Sequence, residues 1–70
     1  MKPEHQLIKY FEFAHLPEKL RYISQFFQVM AQRIDMNLPD GLMKDVALQR
    51  LLESKDAAVR AALELPDRNE

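Results

Sequence analysis

Three aromatic rings fall close together at Tyr10, Phe11 and Phe13, and His15 and Pro17 follow them. Rings beside an imidazole suit stacking against a planar base, because every nucleobase presents a π-face. Further along, Lys44, Lys55 and Arg60 are cations able to meet phosphate oxygens. Together these groups make the inventory of a site for a small anionic nucleotide. The plainer alternative is that the rings fold back over the open end of a helical hairpin as added core, and for Phe11 that is the expectation. Lys55 poses the same choice. On a helix it falls in the middle of the apolar face formed by Leu48, Leu51, Leu52, Ala58, Val59, Ala62 and Leu63, with Lys44 in phase about three turns earlier. Either its stem runs along the hairpin seam and its head pairs with a carboxylate, or it holds an anion at a contact between protomers. A charge amid apolar surface is costly unless something pairs with it, and Glu53 and Asp56 point to the flanks.

Other chemistry is thinly represented. Ser24 and Ser54 stand alone, without a nucleophile-elbow motif or a base in register. Glu53 and Asp56 read as solvated helix charges, and Gly41, the only glycine, makes no phosphate loop. There is no cysteine, so disulfides and thiolate metal sites are excluded, and His5 and His15 share no metal-binding spacing. The expectation is a protein without catalytic residues, cofactor or metal. Ten Lys and Arg against eleven Asp and Glu leave a net charge of −1, which argues against duplex nucleic acid and anionic membrane surfaces as partners. No apolar run approaches the roughly 20 residues that span a bilayer. Lys9 and Glu12 interrupt the one N-terminal stretch that could begin a signal peptide, so a cytoplasmic protein is expected.

The elements that must position these groups are marked by prolines at 3, 17, 39 and 66 and by the single glycine. They predict an all-α fold: an antiparallel two-helix hairpin with an aromatic N-terminal arm, extended or turned into a short helix. The expected bounds are an arm over 1–15, a helix over 16–37, a turn over 38–41 capped by Asp40 or Asn37, a helix over 42–65 and a tail over 66–70. In the first helix Leu16, Leu20, Ile23, Phe27, Met30 and Ile34 recur at spacings of four and three, a seam for one packed partner. A second strip, Tyr22, Phe26, Val29 and Met36, lies beside it. One facing helix cannot cover both strips, and a chain this short buries only about 60% of its unfolded surface. A homo-oligomer larger than a dimer is therefore expected.

Leu38-Pro39-Asp40, Lys44, Ala47-Leu48, Leu51 and Glu53, preceded by Phe13-Ala14-His15-Leu16-Pro17, carry a resemblance. The chain resembles the helical-hairpin domain of phage-encoded cyclic-nucleotide sponges that inhibit CBASS and Thoeris immunity. Ser54 departs from the small apolar residue usual there. The resemblance implies a non-enzymatic protein that sequesters cyclic di- or trinucleotide messengers in the bacterial cytoplasm. It also implies a compact homo-oligomer, often a hexamer, enclosing ligand between protomers. The roles that follow are stacking by Tyr10 and Phe13, polar or phosphate contact by His15, and phosphate charge from Lys44, Lys55 and Arg60. Two other classes compete with it. A protein-binding adaptor would use the broad apolar face of the first helix, and a small DNA-binding regulator would need a basic face that the scattered cations do not form.

Overall fold

The computed structural model describes residues 3–66, which contain no strand. A one-turn 3-10 helix at Ile8–Phe11 precedes two α-helices, α1 (Glu18–Asn37) and α2 (Leu42–Ala62), which pack against each other as a hairpin. α1 starts behind Pro17, whose carbonyl accepts from the amides of Leu20 and Arg21 at 2.9 Å each. It stops at Leu38, which the following Pro39 forces into extended backbone at ψ 145°. Asn37 Nδ2 donates to the Arg33 carbonyl at 2.8 Å, so one of the last helical acceptors is satisfied by a side chain.

The N-cap of α2 falls to Gly41 rather than to Asp40 or Asn37. Its φ of 154° and ψ of 178° lie in a region that only glycine enters without strain. No atom lies within 4 Å of where a β-carbon would stand, so backbone conformation and not space requires glycine there. α2 ends at Ala62, short of the expected Leu65, because the chain tightens into i to i+3 bonds before Pro66: Glu64 N–H reaches the Ala61 carbonyl at 3.1 Å and Leu65 N–H the Ala62 carbonyl at 3.0 Å. Lys19 Nζ closes this end, donating to the Leu65 carbonyl at 3.0 Å, a cation where the helix dipole favours one. Of the expected tail, residues 67–70 lie outside the described residues.

The core joins all three helical pieces. Ile8 and Phe11 from the arm meet Ala31 of α1 and Leu48 of α2, with Phe27, Ile34, Leu51 and Leu52 packed around them. Phe11 is fully buried, so truncating it to Ala would remove about 3–5 kcal/mol. The arm is thus a third side of the core. One correction concerns α1. Met30, assigned by spacing to the hairpin seam, is half exposed, whereas Leu20, Phe27 and Ile34 of the expected seam are buried or packed on the core, joined by the buried Ser24 and Ala31 from outside it. Ser24 and Ala31 are both completely buried. Ser24 Oγ finds no hydrogen-bond partner among the described residues.

Candidate functional site

The arm is laid along α2 by polar bonds at both ends. Near its start, the His5 amide donates to Asp35 Oδ2 of α1 at 3.1 Å. His5 Nδ1 accepts from the Leu7 amide at 3.1 Å, which leaves Nε2 as the protonated nitrogen donating to Asp45 Oδ1 of α2 at 2.7 Å. Near its end, Lys55 Nζ donates to the carbonyl of Tyr10 at 2.7 Å and lies 3.3 Å from Asp56 Oδ1. It also stands 6.0 Å from the centre of the Phe11 ring. Lys55 therefore buries its stem and pins the 3-10 turn to α2, with two of its three donor directions taken.

Beside that pin the arm and α2 enclose a groove of about 330 Å³. Its walls are Lys9, Tyr10, Glu12, His15 and Leu16 from the arm and Lys55, Asp56 and Val59 from α2. Lys9 Nζ sits 5.3 Å above the Tyr10 ring, a cation–π distance, and the ring itself is half exposed. The groove thus brings together a half-exposed aromatic ring, two ammonium groups, an imidazole, the aliphatic Leu16 and Val59, and the carboxylates of Glu12 and Asp56. Its size is at the low end of the roughly 300–1,000 Å³ typical of ligand pockets, enough for about one nucleotide unit.

Of the six residues named from sequence, Tyr10, His15 and Lys55 line this groove. Phe13 is half-buried in the turn before α1 and Arg60 is exposed on the last turn of α2, and neither is among the groove's walls. Lys44 is the clear departure. It is buried at the hairpin corner, where Nζ meets the Asp35 carbonyl at 2.7 Å, Asp35 Oδ1 at 2.8 Å and Asp40 Oδ1 at 2.9 Å. The Oδ1 contact of Asp35 is ionic rather than a well-aligned hydrogen bond. With three acceptors around three donor protons and a side chain only 1% exposed, Lys44 holds the corner together and is not presented to a phosphate. Lys9 was missed, although its place next to Tyr10 was a usable signal. His5 was missed because both its carboxylate partners are distant in sequence.

A second groove of about 320 Å³ runs between His5, Gln6 and Leu7 of the arm and Asp45, Val46, Gln49 and Arg50 of α2. Its guanidinium is engaged with Glu53 at 3.1 Å. That bond, then the one from Gln49, holds the Glu53 carboxyl below the ordinary glutamate range. Among the described residues no three His, Cys, Asp or Glu side chains gather to hold a metal ion, and no helix is long and apolar enough to cross a membrane. Comparison with protein-family models, with curated proteins and with solved structures found no match to this chain.

Proposed function

We propose that this chain is a non-enzymatic binding protein that captures cyclic di- or trinucleotides and sequesters them intact. In this role it blunts CBASS-type, or Thoeris-type, signalling in the cytoplasm of a phage-infected bacterium. The observation that carries the proposal is the convergence of Tyr10, His15 and Lys55 on one groove, with Lys9 over the Tyr10 ring. A base stacks on Tyr10, worth about 1–3 kcal/mol and tolerant of base identity. Lys9 and the remaining donor of Lys55 meet the phosphate, and His15 supplies a further polar contact. Phe13, Arg60 and Lys44 are left out of this site by their placement. The sequence resemblance supports the same ligand class.

The groove has room for about one nucleotide unit and is open on one side, so a whole cyclic oligonucleotide needs a second wall. A homo-oligomer, a hexamer by the resemblance, supplies it. Displacing water from such an enclosed site strengthens each phosphate contact by lowering the local dielectric.

The test is to incubate the protein with a panel of cyclic di- and trinucleotides, remove free ligand, release what remains by heat, and identify it by chromatography. At least one member should return unchanged. Tyr10→Ala should weaken its affinity by about 5- to 150-fold, the equivalent of one lost stacking contact. Folded protein that retains no member of the panel defeats the proposal, and so does a Tyr10→Ala variant with full affinity.

A further inference from the structure

α1 is apolar on two faces, and among the described residues the second face has no cover. Tyr22, Phe26, Val29, Arg33 and Met36 follow one another at spacings of four, three, four and three, the signature of a coiled-coil seam. This seam points away from α2: Tyr22 and Phe26 are each 54% exposed, Val29 is 49% and Met36 is 79%. Tyr22 and Phe26 hold each other edge to face, with centroids 5.7 Å apart and planes at 90°, so the face is already ordered.

We infer that this face pairs with the same face of a second copy, antiparallel, through layers of Phe26 on Val29 and Arg33 on Tyr22. Charge selects this arrangement. A parallel pair sets Arg33 against Arg33 in a seam layer, a like-charge contact. Antiparallel seams combine the two kinds of core position instead, so each guanidinium lies on a tyrosine ring of the other copy as a cation–π contact. The same register carries the Met36 side chain of each copy to the level of Lys19 in the other. There an apolar groove of about 300 Å³ between Tyr22, Ile23, Leu65 and Pro66 stands ready for it.

Area points the same way. A half-exposed aromatic ring offers on the order of 100 Å². With Val29, Met36 and the groove walls, two copies of this face approach the roughly 1,200 Å² at which specific interfaces begin. Pairing is therefore specific but concentration-dependent, and it is the unit from which a larger ring would be built.

This inference gives the proposed self-association its surface, and it is tested without any nucleotide, so it can fail while ligand capture stands, or the reverse. Sedimentation of the intact chain from about 1 µM to 1 mM should show mass rising at least to a dimer. Phe26→Glu should give a monomer with unchanged helical circular dichroism, because Phe26 makes no part of the protomer core. Arg33→Gln should weaken pairing, whereas in a parallel pair it would strengthen it. The chain lacks cysteine, so Phe26→Cys mixed with Val29→Cys should form a crossed disulfide in preference to either self-disulfide. A monomer at every concentration, a Phe26→Glu variant of unchanged mass, tighter pairing in Arg33→Gln, or dominant self-disulfides each overturns the inference.

Discussion

Lys44 and Lys55 occupy the same face of α2, and the molecule uses them in opposite ways. At the corner, Lys44 is sealed beneath the first turn of α2 with Asp35 and Asp40, and its charge is neutralised locally. At the groove, Lys55 is pinned to a backbone carbonyl and to the exposed Asp56, with its side chain 14% exposed. What separates them is the neighbourhood that folding brings in. α1 delivers a buried carboxylate to the corner, whereas the arm delivers to the groove a carbonyl and an aromatic ring. A buried cation with carboxylate partners fixes a fold. A half-buried cation tied to a carbonyl pins one element to another and has a donor direction left over.

The largest effect tests the corner. Lys44→Met should cost about 3–5 kcal/mol in a denaturant titration, because the buried Asp35 carboxylate loses the ammonium 2.8 Å away. Replacing Asp35 by Leu as well should recover only part of this loss, since the His5 amide would then lose its acceptor. Lys55→Met should cost only about 0.5–1.5 kcal/mol, with water taking the place of the ammonium at the Tyr10 carbonyl. The loss should be local, seen as faster amide exchange over 8–12 while the α1 amides stay protected. Equal costs for the two variants would erase the distinction between corner and groove. In the nucleotide assay Lys55→Met should also lower affinity by about 10- to 150-fold, the scale of a charge-assisted hydrogen bond.

The smallest effect lies between the two lysines. Glu53 is exposed, and its carboxyl is held low by Arg50 and then by Gln49. Its folded pKa is below the unfolded one, so the favourable contribution is present above the ordinary glutamate range and is lost as pH falls through the folded value. At such an exposed site the carboxyl resonance should report this, with no change in melting temperature. Arg50→Gln should move that titration upward.

Punctuation made the helices legible. Pro17, Pro39, Gly41 and Pro66 mark the hairpin because each acts on its own few residues of backbone. The outer strip of α1 was legible as well, since Tyr22, Phe26, Val29 and Met36 keep their period without tertiary information. Met30 was misplaced because it falls between the two strips and fits either alternation of three and four. The role of Lys44 was hidden because its partner Asp35 belongs to α1, across a proline turn. His5 was hidden further still, with bonds to residues 30 and 40 positions away. Local period reveals faces; it does not reveal which face of which element comes to rest on a given charge.

The distances spanned by the arm's bonds also set an order of events. His5 needs Asp45, and the Tyr10 carbonyl needs Lys55, 45 residues later. During synthesis the arm is made before either partner, and it can dock only when most of α2 has followed. Until then Ile8 and Phe11, two of the most deeply buried side chains of the finished protein, remain in water. Arm docking closes loops of 40 and 45 residues and waits on most of α2, so the interval before it is one in which a nascent chain is open to capture by a chaperone or by another unfinished copy.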